Sequence, residues 1–223
     1  ITAFDTLSKT GSGTWSLAGT TSIESSITVE TGSLSTTGDM SAPTVTIVDG
    51  SALAIGTGGA VGALDADSVT NNGTLTFNRS DDYIFDAVVS GTGELVHAGP
   101  VTLTLSGSST FSGQTTVQSG TLALTQNTSA GTSLIRLSDG STLQADGTLT
   151  LANSIQVSGN TILNNRANNV TLDSSISGTG DLTKQGVGGL TLSGNSNFTG
   201  TLSIAAGTLQ TGVTNALSAN TNL

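Results

Sequence analysis

The sequence predicts an all-β chain, a parallel β-helix of about ten coils with little or no helix, and three observations carry that expectation. Short runs alternate apolar and polar residues, among them Val45-Thr46-Ile47, Val101-Thr102-Leu103-Thr104-Leu105, Leu149-Thr150-Leu151 and Leu190-Thr191-Leu192. A period of two with β-branched residues on the polar side is a strand signal. No segment sustains an apolar stripe at helical spacing. Third, the chain repeats: a shift of 87 residues lays 95–122 on 182–209 without a gap, and 17 of the 33 positions in 90–122 are identical to their partners in 177–209. A weaker copy occupies 7–34, where Leu7, Lys9, Gly11, Gly13, Leu17, Gly19, Gly32 and Leu34 fall on Leu182, Lys184, Gly186, Gly188, Leu192, Gly194, Gly207 and Leu209. A sandwich has no reason to repeat at such an interval. Four coils of about 22 residues give that period, within the range of solenoid repeats.

The whole of 1–223 then reads as one β-helical segment, a rod on the order of 50 Å long with coils stacked at about 4.8 Å. Corners fall at Thr31-Gly32, Asp49-Gly50, Asn72-Gly73, Ser106-Gly107, Asp139-Gly140, Asp146-Gly147 and Ser193-Gly194, residues that tolerate positive φ. A second echo, Val45-x-Ile47-x-Asp49-Gly50-Ser51-x-Leu53 against Ile135-x-Leu137-x-Asp139-Gly140-Ser141-x-Leu143, shows that the stretch between the main copies repeats too. The apolar residue at every second position points to a shared core, and Leu, Val and Ile stack in columns along the axis.

Composition agrees. About a third of the residues are Ser or Thr, charged residues are 9%, aromatic residues 3%, and cysteine is absent. The core is therefore aliphatic, and disulfides, thiolate metal sites and a cysteine nucleophile are excluded. The net charge is −10 and sits mainly before residue 112, where eleven acids face Lys9 and Arg79. An acidic surface disfavours phosphate backbones and anionic lipid, so no nucleic acid partner is expected. No apolar run reaches the roughly 20 residues of a spanning helix, so the segment is not expected to insert in a membrane. Without a charged and apolar leader at Ile1, the chain reads as a piece of something longer.

Candidates for chemistry are few. His97 is the sole histidine, no Gly-x-Ser-x-Gly elbow surrounds a serine, and the repeat position shared by His97 and Lys184 is expected on a solvated face. No catalytic, cofactor-binding or metal site is assigned, no enzyme is expected, and the binding residues stay unknown. Arg79-Ser80-Asp81-Asp82 with Asp86 reads as a solvated corner loop; its counterpart is Arg166-Ala167-Asn168-Asn169 with Asp173. The alternative is a calcium site completed by Asp65 and Asp67, which a calorimetric titration tests. The Thr-x-Thr pairs (Thr44-x-Thr46, Thr74-x-Thr76, Thr102-x-Thr104, Thr148-x-Thr150) recur irregularly and read as outward strand positions. Gly178-x-Gly180 lacks the lysine and helix of a phosphate loop. The Gly-rich stretch 56–67 is the best candidate for an insertion that breaks the coil rhythm.

The run Gly178-x-Gly180-x-Leu182-x-Lys184-x-Gly186-x-Gly188-x-Leu190-x-Leu192-x-Gly194, followed by Phe198-x-Gly200 and Gly207-Thr208-Leu209, resembles the autotransporter-associated β-strand repeat of type V secreted bacterial passenger domains. The middle copy has His97 for Lys184 and Pro100 for Val187; the first has Ile23 for Phe198 and Trp15 for Leu190. The resemblance implies a right-handed parallel β-helix, exported through a C-terminal outer-membrane β-barrel and displayed on, or secreted from, the bacterial surface. Its implied function is an adhesin or self-associating rod, with partners in itself or in host-surface and matrix ligands. The alternative is a non-binding stalk that aids export and folding and displays a distal domain.

Overall fold

The computed structural model describes residues 4–217, which form 27 strands and no helix. Every strand pairing is parallel. Following the chain, strands fall in turn on three faces of a solenoid of about ten coils. The second face is the most regular, running without interruption through nine strands from Thr14–Leu17 to Ile176–Gly178. The first face begins with Phe4–Lys9, the C-terminal half of Thr21–Val29, Thr44–Ile47, Ser68–Asn71 and Val88–Ser90. It resumes in Leu149–Leu151, Val170–Leu172, Gly189–Leu192 and Thr208–Thr211. Between these two runs Phe111 N bonds Val89 O and Thr132 N bonds Phe111 O, so the stack is continuous there without regular strand.

Register follows the alternation. Leu34, Leu53, Leu75 and Leu95 form one inward column of the second face, and Ile135, Ile155 and Ile176 extend it. All seven are buried. Because side chains alternate across a strand, parallel pairing in register puts like residues on like, and the column forms wherever the period of two is kept. A charge placed in such a column away from the carbonyls of a corner would be buried without a partner.

Ladder partners are 18 to 24 residues apart, from Ile27 with Val45 to Val45 with Val69, and mostly about 20. The coil is thus shorter than the 22 residues expected, and the repeat is not four coils. Thr14–Leu17, Thr102–Leu105 and Gly189–Leu192 are the same strand of the three copies, and they lie on the second, third and first faces in that order. Each copy starts thirteen strand positions after the last, four and one third coils on, so the motif advances by one face each time. The echo that starts at Val45 and again at Ile135 moves likewise, from the first face to the second.

The expected interruption at 56–67 is narrower than its sequence suggests. Residues 56–62 carry the extra length of the 24-residue coil, after which Ala63–Asp65 pairs normally with Asp39–Ser41. Gly62, at φ +96, lies against the Thr36 carbonyl and the Gly56 backbone, with no room for a Cβ.

Candidate functional site

The repeat's polar signature residues are inside. Lys9 and Lys184 are fully buried and His97 is 2% exposed, which corrects the expectation of a solvated face. Alternation explains it: Leu182 and Lys184 share a parity, as do Leu95 and His97, so both members of each pair point inward. Burial of an ammonium is tolerable only where oxygens surround it, and the corner supplies them. Lys184 Nζ donates to the carbonyls of Gln185 (3.3 Å), Gly186 (2.6 Å) and Ala206 (3.0 Å), and to Asn165 Oδ1 (2.8 Å). Lys9 Nζ donates to the equivalent carbonyls of Thr10 (3.1 Å), Gly11 (2.5 Å) and Thr31 (2.8 Å). Each lysine thereby ties the corner of its own coil to the corner of the next. Burial pulls the Lys184 pKa below its usual value, while acceptors outnumbering the two donors of a neutral amine hold it as ammonium. Asn165 is fixed in turn, its Nδ2 donating to Asn168 O (2.7 Å) and Gly189 O (2.9 Å).

The middle copy solves the same corner differently. His97 sits in the column between Phe77 and Val117, and its Nε2 lies 2.9 Å from Val101 O. A carbonyl only accepts, so Nε2 carries the proton and Nδ1 is the bare nitrogen; Nδ1 is buried without a hydrogen-bond partner. The two carbonyls that the lysines serve elsewhere, here Ala98 O and Gly99 O, face the Ser119 hydroxyl at 2.8 and 3.0 Å. Ser119 occupies the place of Thr31 and Ala206. Burial lowers the His97 pKa, with the Val101 and Phe77 carbonyls opposing.

All three corners close on a glycine. Gly32, Gly120 and Gly207 have φ of +70, +68 and +76, and a Cβ on each meets backbone oxygens of the preceding coil: 2.6 Å from Gly13 O, Gly99 O and Gly186 O respectively. Both conformation and space require glycine here.

The second candidate region, around Arg79, is solvated only in part: Ser80, Asp82 and Asp86 are exposed, whereas Arg79 is drawn in. The Arg79 side chain is 11% exposed, pairs with Asp81 at 2.8 Å, bonds Gly62 O, and lies over the Tyr83 ring at 4.8 Å. Its counterpart Arg166 adopts φ +51 and reaches outward to Asp146 at 2.7 Å. The acids disperse. Asp81 is engaged by Arg79, Asp82 accepts from Thr102 N at 2.8 Å, and Asp67 faces a depression beside Pro43. Asp65 shares that depression with Asp67, and Asp65 and Asp86, joined by Asp39, border a separate cavity of about 350 Å³. Among the described residues, no group of three or more His, Asp or Glu is disposed to hold a metal ion.

Sequence reasoning missed a regular surface on the first face. Ladder register aligns Ser8, Thr28, Thr46, Thr70 and Ser90 in one outward column and Thr6, Ser26, Thr44 and Ser68 in a second beside it. The Thr-x-Thr spacing signals it only once Ser is counted with Thr and the coil length is known.

The passenger-associated-transport-repeat matches the chain three times, at residues 7–35, 97–124 and 182–210, the segments that contain the three corners. The chain is also 34% identical over 141 residues to the adhesin BmaC autotransporter of Brucella suis biovar 1 (strain 1330). That alignment covers 62% of the chain and 4% of the adhesin's length. No solved structure is significantly similar to it. Three transport repeats set on successive faces of one β-solenoid, with that likeness to an autotransporter adhesin, are the features of an autotransporter passenger and support a location at the bacterial surface or secretion from it.

Proposed function

We propose that this segment acts as an adhesive, self-associating rod. The observation that carries the reading is the pair of hydroxyl columns on the first face, Ser8 to Ser90 and Thr6 to Ser68. Neighbouring coils repeat at about 4.8 Å and alternate residues of a strand at about 6.7 Å, so this surface offers an ordered field of neutral donors and acceptors. Single contacts of this kind are weak; laid rod against rod over five coils they add through multivalency. The adhesin named above, similar over most of this chain, supports the same reading. The segment works without a cofactor, as a binding surface and not as a catalyst, in a protein that a C-terminal outer-membrane barrel holds at the cell surface.

Sedimentation velocity from micromolar to high micromolar concentration tests it. Reversible association is expected, and Thr28→Glu, Thr46→Glu and Thr70→Glu together should abolish it while leaving the β spectrum intact. A monomer at every concentration would overturn it. That result favours a second reading, a stalk that folds, aids export and displays a distal domain. The specific observation on its side is that the repeats spend Lys9, His97 and Lys184 on the interior instead of the surface.

A further inference from the structure

The third face opens between Ala63–Asp65 and Tyr83–Phe85. Asp39–Ser41 and Ala63–Asp65 join the sheet of the first face through the start of Thr21–Val29, a second sheet begins at Tyr83–Phe85, and no ladder joins the two. On the second face the same two coils remain paired, Ala52–Ile55 with Thr74–Phe77. The opening is therefore local to one face. The Tyr83 hydroxyl spans it, accepting from Leu64 N at 3.0 Å and donating to Leu64 O at 2.9 Å. In the register that pairs Asp39 with Ala63 and Ser41 with Asp65, Leu64 is the residue whose backbone groups face away from the preceding strand. One phenol therefore stands where a strand would supply the donor and the acceptor. A solenoid gains its stability from unbroken stacking, and a local departure from the rule that a fold otherwise keeps is expected at functional or strained sites.

We propose that this opening binds an extended segment of a partner protein bearing lysine or arginine side chains, which enters as an added strand. Backbone geometry selects an extended chain: entry exchanges the hydroxyl at Leu64 for one backbone N–H and one C=O, so the hydrogen bonds balance. Charge selects the side chains. Asp39, Asp65 and Asp86 line the cavity, and Arg79, the basic residue beside it, is committed to Asp81 and the Gly62 carbonyl. Ile84, 69% exposed on the rim, gives the aliphatic stem of such a side chain an apolar surface. Complementary charge of this kind steers encounter and fixes register more than it adds affinity.

The test uses blocked Val-Lys-Val-Lys-Val-Lys and Val-Glu-Val-Glu-Val-Glu peptides, and the lysine peptide N-methylated at alternate residues, titrated into the isotopically labelled chain at low salt. The lysine peptide should shift the Leu64 and Ile84 amide resonances saturably, the N-methylated form at least tenfold more weakly, and the glutamate peptide not at all. Asp65→Asn with Asp86→Asn, both on exposed positions, should weaken the lysine peptide at least tenfold with the β spectrum unchanged. Absence of shifts at Leu64 and Ile84, or equal binding by the N-methylated or glutamate peptide, would overturn the proposal. The result is independent of rod-to-rod association, because a chain that stays monomeric in sedimentation still reports these shifts.

Discussion

Lys9 and Lys184 stand 175 residues apart and make the same three carbonyl contacts, Thr10, Gly11 and Thr31 matching Gln185, Gly186 and Ala206. They do so on different faces, Lys9 ending a strand of the first and Lys184 lying in the third. The repeat is thus a corner lock. Its period, offset by a third of a coil from a whole number, carries the lock round the solenoid instead of loading one edge with it.

Lys184→Met keeps the volume and removes the donors, taking this partner from the half-buried Gly186 and Ala206 carbonyls and from Asn165 Oδ1, while Gln185 O keeps its bond from Asn165 N. Unsatisfied buried acceptors cost about 1–3 kcal/mol each, relieved in part by relaxation. Equilibrium urea unfolding should show a loss of about 3 kcal/mol for this variant, and a loss under 1 kcal/mol would show that water serves the corner.

Gly207→Ala probes the closure of the same corner. A Cβ there stands 2.6 Å from Gly186 O and 2.8 Å from Lys184 Nζ, at φ +76. Left-handed strain alone costs about 1–2 kcal/mol, and the backbone contact adds to it. Thermal unfolding should place this variant clearly below Gly212→Ala, where φ is not positive and the nearest atom is the Ser193 side chain at 3.0 Å.

The middle lock is sensitive to acid. Burial disfavours the imidazolium of His97, so its folded pKa lies below the unfolded value of about 6.5. In that window the unfolded chain binds more protons, and stability therefore rises with pH. The contribution is complete above about pH 6.5 and is lost as the pH falls through the folded pKa. Urea midpoints should fall more from pH 7.5 to 5 in the parent chain than in His97→Gln, and equal slopes would refute the assignment.

Tyr83→Phe removes the hydroxyl that satisfies both groups of Leu64. Hydrogen exchange at the Leu64 amide should quicken at least tenfold, equivalent to about 1.4 kcal/mol of local opening, while Leu53 and Leu75 in the paired columns should keep their protection.

Alternation and self-similarity made the fold and the three copies legible, because parallel stacking turns a period of two directly into columns. The burial of Lys184 was also legible in its parity with Leu182, but a lysine weighs toward the surface unless its acceptors are known, and those lie partly on the next coil. Nothing local to the sequence states the coil length. Hence the one-face advance of the repeat, the two hydroxyl columns and the gathering of Asp39, Asp65 and Asp86 became visible only once ladders paired residues about 20 apart. The opening at Tyr83 depends on a side chain replacing a strand, which no propensity encodes.

The corner lock is tested most directly by rebuilding the middle corner in the last copy. Lys184→His should cost about 2–3 kcal/mol by losing the charged donor. Adding Ala206→Ser, which places a hydroxyl where Ser119 stands, should return at least about 1 kcal/mol in that background and little in the parent chain, a coupling that a double-mutant cycle in urea isolates. Equal effects of Ala206→Ser in both backgrounds, or none in either, would contradict the account.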